Sequence, residues 1–399
     1  MLTFKGGIKP DSHKYTKNIP ICETLPPRTL KIPAYNDLIC VSVGDNVLIG
    51  QKLTLNNRSH SPICGVVESI DNNFVTIKNN DGATISGDCV PFSKRLCDSD
   101  FDDIYNFIRK KGICFNNGFL DDRLKKSKDK VSIIIVSCGE TTPFACSRYR
   151  IFTELKKEII YGTRIIMKAL NVSKSAITME NTDFRNRFEL QKLLKKNNNI
   201  TLLTHSSKYP ADNHAVLKKQ FLNKFFKNSK NVTEDNILVI DCEEAVAVFK
   251  AFKTGIPMIN RVVTVDGDTV QTPKNILAPI GISFKELFSM CETEIENISE
   301  IVINNPISYN ETDVESIFSK ETGCILALEN KPSIEKGYDC ILCHRCYDVC
   351  PVGLNPKQLL EQRISEQTCL SCGACTYICP AKIDFSPIYC ITEDYENNE

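Results

Sequence analysis

The chain has 399 residues, of which 42% are hydrophobic, and its formal net charge is zero. This length predicts about two to four domains with packed cores. Balanced charge removes the basic field that nucleic-acid binding needs. No apolar run approaches the roughly 20 residues that span a bilayer, and the first residues lack the apolar segment of a secretory signal. We therefore expect a cytoplasmic protein that binds no nucleic acid and reaches a membrane only through partners.

The first predicted region, residues 1–95, consists of an N-terminal segment and a small β-module. From residue 30 onward, apolar and polar positions alternate in short runs separated by glycines, which indicates short strands joined by turns. The patterns VSVGDNVLIGQKL and SPICGVV resemble the barrel-sandwich hybrid of biotinyl and lipoyl carriers. The stretch between them, residues 56–60, lacks a lysine for a swinging arm. We interpret the module as a docking or structural unit.

The second region, residues 96–255, predicts a Rossmann-like α/β domain. Strands predicted at 131–137, 175–181, 200–205 and 237–241 alternate with helical patterns. This order is typical of a parallel sheet covered by helices on both faces. Ligands in such sheets bind at the carboxyl ends of the strands, so the loop after the first strand is the first place to look for a site. Residues 256–325 return to short strands, the clearest at 261–268, and predict a third, small domain.

The last region, residues 326–399, carries eight of the 20 cysteines in two copies of the pattern C-x2-C-x2-C-x3-C-P. This is the ferredoxin run for [4Fe-4S] clusters, in which three cysteines wrap one cluster and the fourth ligates the other. We therefore predict a two-cluster ferredoxin-like domain. One cluster would take Cys340, Cys343, Cys346 and Cys379, and the other Cys369, Cys372, Cys375 and Cys350.

Two other uses of these cysteines fit the spacing less well. A structural zinc site needs four cysteines, usually as two separated pairs, and has no use for a third C-x2-C step or the closing Cys-Pro. A disulfide framework is typical of small secreted domains, whereas this chain is large and its first residues do not resemble a secretory signal. Between the runs, Asn355 and Pro356 predict the N-cap and first position of a short helix that packs between the clusters.

The order of these regions, with the opening FKGGIKP and the segment GIPMINRVVTVDG, resembles the RnfC family of the Rnf electron-transport complex over nearly the whole chain. The resemblance implies an α/β domain similar to the flavin- and NADH-binding subunit of respiratory complex I. It also implies a soluble-ligand-binding β-grasp (SLBB) domain at residues 256–325 and electron exit through two clusters. The family includes soluble relatives, and the chain most resembles the electron-transfer protein associated with proline reductase in anaerobes.

One stretch departs from the flavin-binding members of that family, which carry a G-x-G-G-A-x-F-P-type loop before the sheet. Here the loop reads KGICFNNGFL, which keeps only Gly112 and Gly118, and the bulky residues 113–115 would obstruct a nest of backbone donors for a phosphate. The family motif N-G-A-E-C-E-P-Y reads SCGETTPF, which keeps Glu140 but replaces the second acidic residue by threonine. These departures put FMN and NADH binding in doubt.

Two cysteines of the α/β domain offer a different hypothesis. Cys138 follows a predicted strand and precedes a helix, where backbone donors and the helix dipole can lower a thiol pKa. Cys146 lies eight positions further on and could pair with it as a redox dithiol. The ordinary interpretation is that both are buried and inert.

Three functions follow from the sequence. The first is an iron–sulfur electron carrier that exchanges electrons with a partner reductase, such as proline reductase or a similar enzyme of amino-acid reduction. The alternative is the NADH-oxidising, flavin-dependent RnfC protein of a membrane-associated Rnf complex. A third is a protein in which the clusters serve structure or redox sensing. Retained flavin would favour the second, and rapid electron exchange with a partner would count against the third.

Overall fold

The computed structural model describes residues 1–24, 27–71, 73–227, 232–308, 310–329, 338–362 and 369–388. These residues form a small β-module, a parallel α/β sheet, a second mixed sheet and a cysteine-rich region of short helices. No helix in these described ranges is both long and apolar enough to cross a membrane.

The N-terminal strands alternate buried and exposed residues, as the two-residue period of a strand requires. Strands β2 to β5 form an antiparallel sheet in the order β2-β5-β4-β3. Leu30 and Ile32 of this sheet share one hydrophobic core with Val263 and Phe284 of the third region. The module is therefore packed onto the body of the protein, as a structural unit would be. The strands are β1 (Ile21–Glu23), β2 (Thr29–Pro33), β3 (Asn46–Val47), β4 (Gly65–Ile70) and β5 (Phe74–Asn79).

Two helices and a hairpin lead into the α/β sheet. They are α1 (Phe101–Arg109), β6 (Cys114–Phe115), β7 (Gly118–Phe119) and α2 (Leu120–Ser127). Helix α1 is capped by Asp100, whose carboxylate accepts a hydrogen bond from the amide of Asp103 while the Asp103 carboxylate accepts one from the Asp100 amide. This reciprocal cap satisfies donors that the first turn leaves unpaired.

The α/β sheet confirms the predicted strands, with starts and ends within two residues of the sequence-based bounds. Its order is β10-β9-β8-β11 and all three pairings are parallel. Strand β11 is buried along its whole length, because helices cover both faces. The elements are β8 (Ile133–Ser137), α3 (Ser147–Glu154), α4 (Lys156–Ala169), β9 (Lys174–Glu180), α5 (Phe184–Leu194), β10 (Ile200–His205), α6 (His214–Phe225), β11 (Ile237–Asp241) and α7 (Cys242–Thr254).

The strand order creates a topological switch point between β8 and β11. The chain runs from β8 outward to β9 and β10, and then returns to the other side of β8 as β11. Connections on the two sides leave in opposite directions, so a crevice opens at the carboxyl ends of β8 and β11. We call this the strand-end crevice, and the β6–β7 hairpin lies against it through Asn117, whose amide group is 3.4 Å from the Asp241 carboxylate.

The third region is a six-stranded mixed sheet in the order β1-β13-β12-β16-β14-β15, with one helix. Strand β1 comes from the N-terminal segment and pairs in parallel with β13. The last strand runs to Leu328, so the sequence-based boundary at residue 325 falls inside it. The elements are β12 (Asn260–Asp266), β13 (Lys274–Pro279), α8 (Phe284–Met290), β14 (Glu300–Ile303), β15 (Asn310–Thr312) and β16 (Cys324–Leu328).

In the part of the cysteine-rich region that the structure describes there are three short helices, α9 (Arg345–Val349), α10 (Pro356–Gln362) and α11 (Ala374–Ile378). The helix predicted between the runs is confirmed, and the Asn355 side chain accepts a hydrogen bond from the Gln358 amide at 3.3 Å. Hydrogen bonds among the described residues dock this region on the body. The Gly7 amide donates to the Val349 carbonyl at 2.8 Å, and the Tyr209 hydroxyl donates to the Cys372 carbonyl at 2.7 Å.

Candidate cluster sites and the strand-end crevice

The eight cysteines of the two runs line two separate cavities. The first, which we call the proximal cavity, is lined by Cys350, Cys369, Cys372 and Cys375. The second, the distal cavity, is lined by Cys340, Cys343, Cys346 and Cys379. Each cavity thus combines three cysteines of one run with the fourth cysteine of the other run.

The two runs have the same backbone conformation at equivalent positions. Leu342 and His344 of the first run have φ values of 57° and 58°, and Ser371 and Gly373 of the second have 49° and 72°. Left-handed conformations are costly for residues with a side chain. Their repetition at the same two places turns each loop around its cavity. At Gly373 a side chain would also collide with the Ile307 carbonyl, 2.3 Å from a Cβ built there.

The surroundings of the cavities differ. The proximal loop lies in a small hydrophobic cluster with Ile8, Tyr209 and Ile307. Tyr209 links this loop to the body, because its hydroxyl also accepts a hydrogen bond from Asn305 at 2.7 Å. In the distal cavity, Cys340 and Cys343 are exposed. The loop beside the proximal cavity therefore contacts the α/β and third regions, whereas two cysteines of the distal cavity are exposed to solvent.

The donor set of both cavities fits an iron–sulfur cluster. Burial raises the pKa of Cys372 and of Cys375 to about 12, so these thiols keep their protons unless a cation replaces them. Iron bound as a cluster would displace those protons and hold the thiolates in the cavity. A bound [4Fe-4S] cluster would supply one-electron transfer. The protein would supply the ligands, the loop shape and the degree of solvent exposure.

A buried network of charged side chains fills the strand-end crevice. Arg148, in the first turn of α3, makes ion pairs with three carboxyl groups, from the turn before α6, the end of β11 and the start of α7. Its Nη1 is 3.4 Å from Asp212, its Nη2 is 3.3 Å from Asp241 and its Nε is 3.8 Å from Glu243. These carboxyl groups raise the pKa of Arg148 against the opposing effect of burial. Burial disfavours the charged form of Asp241, but the guanidinium holds the pKa of that carboxyl below its usual range.

Two further arginines complete this network, which we call the crevice ion cluster. Arg261 of β12 lies 3.3 Å from Glu243 and donates to the Asn116 side chain at 3.3 Å. Arg123 of α2 lies 2.5 Å from Glu244. The cluster therefore connects the α/β sheet, the hairpin and the third region through buried carboxyl groups and the arginines paired with them. Its members are Arg123, Arg148, Asp212, Asp241, Glu243, Glu244 and Arg261.

Sequence reasoning missed this cluster. A usable signal was present at the turn from β11 into α7, which reads Asp241-Cys242-Glu243-Glu244. Three carboxylates at the carboxyl end of a buried strand require buried cations, because isolated charges are costly in the interior. The partners could not be identified, since Arg148 and Arg261 lie far from this turn in sequence.

The predicted cofactor residues lie around the crevice in roles that packing explains. Gly112 has a φ of 55°, and a side chain there would meet the Asn57 carbonyl at 2.6 Å. Its own carbonyl accepts a hydrogen bond from the buried Lys320 ammonium at 2.6 Å. Gly118 has a φ of 81° and starts β7 after the hairpin turn. Glu140 is buried and its carboxylate accepts from the Tyr149 amide at 2.9 Å, in the first turn of α3.

The two candidate redox cysteines have different neighbours. Cys138, at the end of β8, is buried and its thiol contacts that of Cys242 at the start of α7. The pairing of Asp241 with Ser137 in adjacent strands brings these two cysteines together. Cys146 is also buried, its amide donates to the Thr264 hydroxyl at 2.9 Å, and burial raises its pKa to about 11. A raised pKa disfavours the thiolate that thiol redox chemistry needs.

Three families of domain match this chain. Residues 2–88 match the RnfC barrel sandwich hybrid domain, residues 120–250 match the Nuo51 FMN-binding domain, and residues 339–383 match a 4Fe-4S dicluster domain. The barrel-sandwich module, the flavin-subunit-like α/β fold and the iron–sulfur domain predicted from the sequence are thus supported.

Relatives match over most of the chain. The C subunit of the proton-translocating ferredoxin:NAD(+) oxidoreductase complex of Clostridium ljungdahlii is 27% identical over 384 residues, which are 90% of this chain and 83% of the relative. The C subunit of an ion-translocating oxidoreductase complex of Serratia proteamaculans is 26% identical, and the match covers 89% of this chain but 54% of that protein. The chain thus spans about half the length of the second relative.

A solved structure gives the fold alone. The NAD+-reducing [NiFe]-hydrogenase in its air-oxidized state aligns with a TM-score of 0.52 and 12% identity, over 66% of this chain and 53% of that one.

These findings define an iron–sulfur electron-transfer protein built on an α/β domain of the FMN-binding type. More particularly, the chain is RnfC-like. The named relatives are subunits of oxidoreductase complexes, and they give no support to the proline-reductase partner expected from the sequence.

The comparisons also do not support the doubt about FMN that the glycine loop raised, because residues 120–250 match an FMN-binding domain. The side chains in the strand-end crevice nevertheless do not fit the phosphate of FMN. Four carboxyl groups occupy the crevice, and its arginines are paired with them.

Proposed function

We propose that this protein is an iron–sulfur electron-transfer subunit that occupies the position of RnfC in an Rnf-type oxidoreductase complex. The observation that carries the proposal is the pair of four-cysteine cavities, each built from both runs. The crossed sets support two [4Fe-4S] clusters with the ligands named from the sequence. The third region would be the SLBB β-grasp domain that the resemblance implies.

The position of the cavities supports a route for electrons within the chain. The proximal cavity is docked against Tyr209 and the N-terminal segment, and the distal cavity has exposed cysteines. Electrons would pass between the two clusters in single steps. The distal cluster would exchange them with a redox protein, since solvent-facing ligands allow a partner to approach closely.

A second candidate is the NADH-oxidising form of RnfC, with a flavin in the α/β domain. The match of residues 120–250 to an FMN-binding domain favours it. The relatives named above belong to ferredoxin:NAD(+) or ion-translocating complexes, which also suits this function. The occupied strand-end crevice argues against it.

The test of the main proposal is anaerobic spectroscopy with metal analysis. We expect about eight iron atoms per chain, from two four-iron clusters, and a brown chromophore that dithionite bleaches. Reduced ferredoxin, the protein substrate named for the relative in Clostridium ljungdahlii, should bleach it as well. A chain that binds zinc with no reducible chromophore after anaerobic reconstitution would refute the proposal.

A further inference from the structure

We infer that the strand-end crevice of this chain is closed by its own charged side chains, so that FMN does not bind there and the clusters receive electrons from a protein partner. The part about electron entry rests on the proposed function, whereas the closure of the crevice rests only on the geometry of the α/β domain. The inference departs from what the family match suggests, because residues 120–250 match an FMN-binding domain.

The crevice is where a phosphate-bearing ligand of this fold would bind. In open α/β sheets, ligands occupy the space at the carboxyl ends of the strands, at the switch point. A phosphate is then held by free amides at the N-terminus of a helix that begins there. In this chain the switch point lies between β8 and β11, and the helices that begin beside it are α3 and α7.

Both helix N-termini already hold carboxylates from the chain itself. In α3, the Tyr149 amide donates to the Glu140 carboxylate at 2.9 Å. In α7, Asp241 and Glu244 form a reciprocal cap, in which the Asp241 amide donates to the Glu244 carboxylate at 2.7 Å. A phosphate would have to displace these side chains. Displacing them would leave buried carboxylates without the donors that compensate their burial.

The arginines of the crevice are also ion-paired with carboxyl groups of the chain. Arg148 is shared by three carboxyl groups, Arg261 is paired with Glu243, and Arg123 with Glu244. Four carboxyl groups therefore share three guanidinium groups. A phosphate dianion added to this set would face like charges at close range, where the local dielectric is low and repulsion is strong.

The approach from the hairpin side is closed too. The His214 imidazole lies 3.1 Å from the Asp241 carboxylate and 3.5 Å from the Asn117 amide group, and Asn117 itself lies 3.4 Å from Asp241. These contacts bridge the N-terminus of α6 and the turn of the hairpin over the crevice. The glycine that could cradle a ligand, Gly112, instead packs against the Asn57 carbonyl.

The experiment is flavin and NADH analysis of the anaerobic full-length protein with its clusters in place. Dithionite bleaching first shows that the clusters are intact, and it tests the proposed function separately. The protein is then incubated with excess FMN, desalted and acid-treated to release flavin, and a second sample receives NADH. We expect less than a tenth of an equivalent of FMN and no bleaching by NADH. Stoichiometric FMN, or bleaching by NADH in a protein whose clusters dithionite also reduces, would overturn the inference.

A variant tests whether the carboxylates are the cause. Glu243→Ala removes the carboxyl group that Arg148 and Arg261 share and leaves space beside both guanidinium groups. Glu234→Ala removes an exposed glutamate from the same domain and serves as the control. Inorganic phosphate, measured by calorimetry, should bind Glu243→Ala at least tenfold more tightly than it binds the wild type or the control. Equal phosphate affinity in all three folded proteins would show that these carboxylates do not exclude the anion, and the inference would fail.

Discussion

The cysteine cavities and the strand-end crevice are both places where the fold can hold a cofactor, and they differ in one physical respect. In the cavities, eight side chains with ligand chemistry line open space, and two loops are turned around it by left-handed residues. In the crevice, the charged side chains are ion-paired with one another. The same chain can therefore present open space lined by ligand side chains in one place and ion-paired side chains of its own in another.

The largest expected effect comes from removing a crossed cysteine. Cys379→Ala should abolish the distal cluster, because its thiolate would be that cluster's fourth ligand. Cys350→Ala should abolish the proximal cluster instead. Iron content should fall by about half in each variant, and electron paramagnetic resonance should show a different surviving cluster. If both variants kept the same signal, the crossed assignment would be wrong.

The second largest effect is expected at the crevice ion cluster, where a substitution should lower the free energy of unfolding. Arg148→Ala leaves Asp212, Asp241 and Glu243 without their shared cation, and breaking a buried network of this kind costs about 3–5 kcal/mol. Thermal or chemical unfolding of the α/β domain checks this. Arg185, whose side chain is 88% exposed and pairs with Glu189 at 3.3 Å, is the matched control. Arg185→Ala should cost less than about 1 kcal/mol, and similar losses in both variants would contradict a buried role for Arg148.

A pH series tests the buried ammonium group of Lys320, which lies beside Gly112 just before the hairpin. Lys320 is buried against the carbonyls of Arg58 and Gly112, and burial lowers its pKa to about 8. The unfolded chain therefore binds more protons than the folded chain between pH 8 and the ordinary lysine value near 10.5. The free energy of unfolding of the wild type should rise through this window, by roughly 3 kcal/mol relative to Lys320→Met. Denaturant titrations of both proteins measure it.

The control for that series is Lys126→Met, at an exposed position of helix α2. Its stability should follow the wild-type pH dependence. A constant difference between wild type and Lys320→Met from about pH 7 to about pH 10.5 would show that the Lys320 ammonium does not titrate in this window.

The smallest effect is expected at the docking point of the proximal loop. Tyr209→Phe removes the hydroxyl that joins Asn305 to the Cys372 carbonyl, at a net cost of about 1 kcal/mol. The change should appear in the spectroscopic signal and midpoint potential of the proximal cluster alone. Tyr347→Phe, on a partly exposed tyrosine of α9, should leave that signal unchanged. A shift of both clusters in Tyr209→Phe would argue against a local role for the hydroxyl.

The sequence by itself determined whatever depends on local pattern and spacing. Apolar periodicity located the four strands of the α/β sheet, and Asn355-Pro356 located the start of α10. The repeated cysteine spacing predicted the cluster cysteines, because a loop around a cubane requires ligands at fixed short intervals. The same spacing predicted which cysteines meet, and the two cavities have these linings.

Only the tertiary structure decided what fills the strand-end crevice. The thiol partner of Cys138 is Cys242, whereas Cys146 was the candidate from sequence. Arg148 meets Asp241 and Arg261 meets Glu243 across distant parts of the chain. Such pairs arise from strand order and domain packing, and a buried charge carries no local signal of which residue will neutralise it.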